Sequence, residues 1–248
     1  MIGKLQEHHV MDLAATFMGA HAVPEAYRDN RQGYLSFCAR KCFRQYRSRA
    51  LRNSAMCSAK RAFFPPRNPA AFCLPADSYG LRPKIHADEI EAIGGSELAG
   101  EIGAVSAEHL IVCPPSGIAS MAEGGTVACC LPATSFYLGA AYAPVQDMVQ
   151  AGVPVAMATD FNPGSCPCLN MQLVISLGCL RYRLTPEQAL TAVTLNGAAA
   201  ICRADRIGSI EPGKQADILI WNAEDLDYIC YRLGSNLVDT VIKKGTVV

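Results

Sequence analysis

The stretch RPKIHADEIEAIGGSELAGEIGAVSAEHLIV, residues 82–112, decides the fold. RPKIHAD is a short apolar run that turns polar at its end, which predicts a strand. EIEAIGGSELAGEIG has helical period, marred by Gly94-Gly95, and AVSAEHLIV reads as a second strand. A strand, a helix and a strand in so short a span form a βα unit, and such units build parallel sheets.

The alternation continues outward. SGIASMAEGG (116–125) predicts a short helix closed by glycines, as helix C-termini prefer. TVACCLPA (126–133) and VPVAMATD (153–160) predict strands, with a helix between them in YAPVQDMVQAG and another after them in SCPCLNMQLVISLGCL. TFMGAHAVP (16–24) is a fifth candidate strand. LTPEQALTAVTLNGAAAICRA (184–204) is a helix with Thr185 as N-cap and Pro186 at its first position, interrupted at Asn196-Gly197. After Gly208 the text changes: GSIEPGKQADILIWNAE and NLVDTVIKKGTVV alternate like antiparallel strands with Pro-Gly and Lys-Gly turns. The expected organisation is an α/β domain with a parallel sheet over 1–207 and a small β appendage over 208–248.

The 248 residues carry 22 Lys+Arg against 22 Asp+Glu and are 50% hydrophobic, enough for a sizeable core. A balanced charge argues against a dedicated nucleic-acid binder. No apolar run is long enough for a membrane span, and the first residues lack the apolar stretch of an export signal. The 12 cysteines therefore read as reduced thiols of a cytoplasmic protein. The balance hides an asymmetry. Residues 30–76 contain no acidic residue and hold Arg31, Arg40, Lys41, Arg44, Arg47, Arg49, Arg52, Lys60, Arg61 and Arg67. FFPPRNPAAFCLP (63–75) is poorly suited to a helix or an inner strand. The stretch reads as a solvated insertion, as a basic phosphate-binding or nucleic-acid-binding loop, or as text read out of frame.

In parallel βα folds ligands bind where strands end. Four strands end in His21, His86, His109 and Asp160. One such histidine is more often structural; three with an aspartate point to a metal or acid–base site. Glu89, three residues beyond His86, can reach the same space and orient a water or a substrate N–H, or can simply favour a helix N-terminus. Asp160 can ligate a metal or accept a proton, or can open an Asx turn; Asn162, Gly164 and Ser165 follow it as polar groups suited to a carboxylate. Cys129-Cys130 and Cys166-x-Cys168 lack zinc-ribbon spacing. No nucleotide-binding glycine motif and no serine-hydrolase elbow is present.

TFMGAHAVP, KIHADEI with GGSELAGEIGAVSAEHL, ATDFNPGSCP and GSIEPGKQADILIW together resemble the imidazolonepropionases of the amidohydrolase superfamily, over residues 5–33 and 80–248. The resemblance implies the C-terminal part of a metal-dependent TIM-like (β/α)8 barrel, incomplete, with a small β-sandwich-like appendage. It implies hydrolysis of the cyclic amide of 4-imidazolone-5-propanoate to N-formimino-L-glutamate, in histidine degradation. It makes His86 and Asp160 metal ligands, for one zinc or iron ion, with Asp160 also shuttling protons. It places Glu89 against substrate and the attacking water and His109 beside the scissile carbonyl. His21, Asn162, Gly164 and Ser165 become substrate-binding residues. It also suggests a homodimer acting on a small molecule, with neither nucleic acid nor membrane as partner. The family's His-x-His pair occurs nowhere in this chain, and the text departs from the family at 34–80, as an out-of-frame reading would. With two of four expected ligands, the chain is expected to hold metal weakly and turn over little substrate. The competing readings are another amidohydrolase, such as a deaminase of a cyclic amidine, and a non-catalytic fragment.

Overall fold

The computed structural model describes residues 2–43, 54–58 and 79–248. The strands of the α/β part are β1 (Thr16–Ala20), β2 (Ser54–Ser58), β3 (Arg82–Ala87), β4 (Ser106–His109), β5 (Val127–Cys130) and β6 (Val155–Met157). A small antiparallel sheet contains β7 (Ile218–Trp221), β8 (Val238–Lys243) and β9 (Thr246–Val247). The chain divides into two compact units, Met1–Ala128 with Ala151–Val153, and Cys129–Gln150 with Pro154–Val248.

In the first unit β1 pairs parallel with β2, β2 with β3, and β3 with β4. The register sets Lys84 beside Ser106 and His86 beside Glu108. Ala20, Ala55, Cys57, Ile85, Ala87 and Ala107 are fully buried. Helix α1 (Ile2–His8) precedes β1. Helix α2 (Arg31–Phe37), capped by the Asn30 side chain, runs on into a π-helical turn at Cys38–Cys42.

Part of the acid-free stretch is thus helix and strand, and β2 is an inner strand of the sheet that the sequence reading did not foresee. SAMCS is short, and only small and unbranched side chains make up its pattern. Residues 63–75 and most of the basic residues of that stretch lie outside the described residues, as does the bulk of the text read as out of frame.

Helix α3 (Gly95–Glu101) is shorter than the expected helix. Residues 89–94 form bends instead, and Gly94, at φ 87°, starts the helix. Helix α4 (Pro115–Gly124) ends on Gly125 in the left-handed region, as its glycines predicted. The two helices cross where Gly100, Gly117 and Gly124 leave no room for a side chain.

In the second unit, helices α5 (Pro132–Leu138), α6 (Val145–Gln150) and α7 (Met171–Tyr182) accompany the strand text. The predicted Thr185 cap is a full capping box: Thr185 Oγ1 accepts from Gln188 N–H at 3.3 Å, and Gln188 Oε1 accepts from Thr185 N–H at 3.0 Å. The helix it opens, α8 (Pro186–Val193), breaks at Thr194, and Asn196-Gly197 lie inside the next helix, α9 (Leu195–Ala200). Asn196 is held there by donating Nδ2 to the Val155 carbonyl at 2.8 Å.

The C-terminal strands pair as expected, β7 with β8 and β8 with β9, around a Lys244-Gly245 turn with both residues at positive φ. Helix α10 (Leu226–Tyr231) was not read from the sequence. Buried Gln172 holds it in place: Nε2 donates to the Ile229 carbonyl at 3.0 Å, and Oε1 accepts from Leu237 N–H at 2.9 Å.

Candidate metal and catalytic centre

The first unit gathers four of the predicted residues. His86 lies on the last turn of pleat in β3, and its ring is buried. At Asp88 the backbone enters the left-handed region, φ 47°, and reverses direction. That reversal brings Glu89 back, so that Oε2 lies 2.8 Å from His86 Nε2 and Oε1 lies 3.7 Å from His109 Nδ1. His109 closes β4 with φ 73°, followed by Leu110 at φ 60°. For residues other than glycine this conformation is costly, and it concentrates where function over-determines the backbone. Leu110 N–H donates to the Ala87 carbonyl at 3.1 Å and Val112 N–H to the Asp88 carbonyl at 2.9 Å, tying the two strand ends together. The His86 and His109 rings stand 4.1 Å apart between centroids, and His21, just past β1, stands 5.0 Å from His86.

His86, Glu89 and His109 each offer a ligand atom, all within 4.8 Å of one another, and two of the three residues are buried. Two imidazoles and a carboxylate form a donor set that suits zinc or iron. The arrangement can therefore hold a divalent cation, and it can also pass a proton between a carboxylate and two imidazoles.

Below this layer lies a buried ion pair. Lys84 Nζ is 3.0 Å from Glu108 Oε1, with side chains 10% and 8% exposed, and Ser106 Oγ donates to the same oxygen. Both partners face the same side of the sheet as His86, by the alternation of β3 and the register with β4.

The second unit carries the other predicted residues. Asp160 is again at positive φ, 54°, and its Oδ2 accepts from Thr134 Oγ1 at 2.9 Å. Asn162 Nδ2 donates to the Asp160 carbonyl at 2.7 Å and to Ser165 Oγ at 2.9 Å. Asn162 Oδ1 accepts from Gly164 N–H at 2.9 Å and Ser165 N–H at 2.8 Å. The Asx-type turn of this loop is made by the Asn162 side chain and not by Asp160, the residue to which the sequence reading gave it, and it bonds Asn162, Gly164 and Ser165 to one another. Burial raises the pKa of the neighbouring Cys166 thiol, against hydrogen bonds from the Cys168 backbone and with Thr134.

Two residues that sequence reasoning passed over stand out. Thr134 was unmarked because nothing in LPATSF separates it from helix text; only the fold sets it against Asp160. Asp88 sat inside the quoted motif, but its partners lie seven and eight residues on. Its carboxylate accepts from Gly95 N–H at 3.3 Å, Ser96 N–H at 3.2 Å and Ser96 Oγ. Burial pushes the Asp88 carboxyl up from the usual range, and the Ser96 hydroxyl and N–H pull it back in part.

Comparison with known proteins agrees with this architecture. The sequence profile of the Amidohydrolase family matches residues 81–248. Imidazolonepropionase of Alkaliphilus oremlandii is 44% identical over 248 residues, covering 100% of this chain and 59% of the relative. Imidazolonepropionase of Geobacillus thermodenitrificans is 43% identical over 245 residues, covering 99% of this chain and 58% of the relative. The chain thus spans about three-fifths of the length of these curated relatives.

Among solved structures, an adenosine deaminase from Xanthomonas campestris with bound zinc superposes with a TM-score of 0.79 at 21% identity, over 98% of this chain and 62% of that one. An atrazine chlorohydrolase from Arthrobacter aurescens complexed with zinc gives 0.64 at 20% identity, over 78% and 49%. These two show the fold alone. No helix among the described residues is long and apolar enough to cross a membrane. With the family profile matched over most of its length, this chain belongs to the amidohydrolase family.

Proposed function

We propose that this chain serves the reaction of imidazolonepropionase, hydrolysis of the cyclic amide of 4-imidazolone-5-propanoate to N-formimino-L-glutamate. One observation carries the reading: Glu89 faces both the His86 and the His109 imidazole from a single carboxylate. A divalent ion, zinc or iron, supplies a water of lowered pKa and a polarised carbonyl when bound. His86 is the residue of this unit that holds it. Glu89, within hydrogen-bonding reach of His86, accepts the proton of the attacking water and faces the ring N–H of the substrate. His109 stabilises charge on the amide oxygen, and His21 adds a contact to substrate. Asp160, Asn162, Gly164 and Ser165 keep the ligand and substrate-binding roles that the resemblance gives them. The 248 residues contain no His-x-His pair, so this stretch by itself is expected to hold the ion weakly.

Loss of imidazolonepropanoate, followed with the purified 248-residue chain and added zinc, tests this. Slow ring opening that disappears in Glu89→Gln is expected. Absence of ring opening at any zinc concentration, or ammonia release from a cyclic amidine in its place, overturns it; the latter favours the deaminase reading.

A further inference from the structure

We infer that Asp88 is the positioning residue of this centre: its carboxylate, buried and clamped to the start of α3, aims Glu89 at the two imidazoles. The inference rests on the role proposed for Glu89 above and deepens it.

Glu89 opens a segment that lies between β3 and α3. Residues 90–92 are exposed, Ile90 at 72%, and 89–94 follow neither helix nor strand. Gly94, at the N-cap position of helix α3, has no side chain to cap it. Asp88 does that work from six residues upstream, accepting from Gly95 N–H, Ser96 N–H and Ser96 Oγ. The bends at 89–94 are therefore closed into a loop whose root is pinned at both ends. On its other side the Asp88 carbonyl accepts from Val112 N–H, three residues past His109.

Asp88 thus joins the ends of β3 and β4 to the N-terminus of α3. Its positive φ sets the direction in which Glu89 leaves. A carboxylate that is 1% exposed and left-handed in backbone is an expensive way to cap a seven-residue helix. An ordinary N-cap at position 94 would do that at lower cost. What the present arrangement adds is a fixed exit for the next residue. Asp88 touches neither substrate nor ion; it acts through Glu89.

The test reads the imidazoles directly. The full chain is labelled with 15N-histidine, and the ring nitrogen signals of His86 and His109 are compared at one pH, without added metal, in wild type, Glu89→Gln, Asp88→Ala, Ser96→Ala and the Asp88→Ala/Glu89→Gln double variant. The expected result is that Asp88→Ala moves the His86 signals to the position seen in Glu89→Gln, that Ser96→Ala moves them part of the way, and that the double variant moves them no further. Should Asp88→Ala fail to fold, Ser96→Ala carries the same comparison. Asp88→Ala or Ser96→Ala that lowers the melting temperature yet leaves both imidazoles at their wild-type positions overturns the inference, because a cap alone would behave that way. If Glu89→Gln itself leaves His86 unmoved, the Glu89–His86 contact is absent in solution, and the site reading fails together with this inference.

Discussion

Gly100→Ala is expected to loosen the contact on which the centre's loop is anchored. A Cβ at position 100 would lie 2.1 Å from the Ser120 carbonyl oxygen, 2.2 Å from its carbon and 2.3 Å from Ser120 Oγ. Ordinary contacts begin near 3.4 Å, so α3 and α4 must separate by more than 1 Å. The obstacle is backbone, which cannot rotate away, and this sets the cost of overpacking near the top of its usual range, about 3 kcal/mol. Alanine's better helix propensity returns about 1 kcal/mol. The net loss is about 2 kcal/mol, which at ordinary m values lowers a urea midpoint by about 1 M. Gly124→Ala meets the same crossing from the other side, 2.3 Å from the Gly100 carbonyl oxygen, and should behave alike. Gly197→Ala is the control: it lies inside α9 with its nearest neighbour at 3.6 Å, so the substitution should gain about 0.5–1 kcal/mol. Urea unfolding followed by far-UV circular dichroism measures all three. A Gly100→Ala protein as stable as wild type, or more so, refutes the packing argument.

Lys84→Met leaves Glu108 buried without its cation and should cost about 3–5 kcal/mol, whereas Lys84→Met combined with Glu108→Leu should recover most of that, as urea midpoints will show. Asp217 gives a pH dependence: burial raises its pKa, but hydrogen bonds from Lys243 Nζ, Lys244 N–H and Gln215 Nε2 together hold it below the ordinary value. A depressed carboxyl pKa contributes stability above the unfolded value, about 3.9, and loses it as pH falls through the folded value. The fluorescence of Trp221, the chain's single tryptophan and part of β7, should therefore report loosening of the small sheet in acid, and Asp217→Asn should remove that component. Identical acid titrations of the two proteins would count against it. Thr185→Ala removes half of the capping box and should cost about 1 kcal/mol in the same unfolding assay.

Much of the first unit is legible in the sequence, because its information is local. The strand ends carrying His21, His86 and His109 follow from alternation of apolar runs with polar stops, and Glu89 follows from a spacing of three residues. What could not be read depends on partners distant in the chain or on backbone angles. Asp88 becomes informative only when Ser96 folds back onto it. The left-handed backbone at His109 and Asp160 leaves no mark in composition. β2 escaped because SAMCS has neither branched nor aromatic side chains, and its place in the sheet is fixed by pairing with β1 and β3. Thr194, not Asn196-Gly197, breaks the helix text because Asn196 finds a carbonyl on β6.

The central claim is that His86 presents a metal-binding imidazole in a centre with Glu89 and His109. Equilibrium dialysis of the reduced 248-residue chain against zinc, beside His86→Ala, tests it most directly, since the cysteines contribute equally to both proteins. The account predicts one additional, weakly held zinc per wild-type chain, released on dialysis into metal-free buffer. Equal zinc in the two proteins would contradict it.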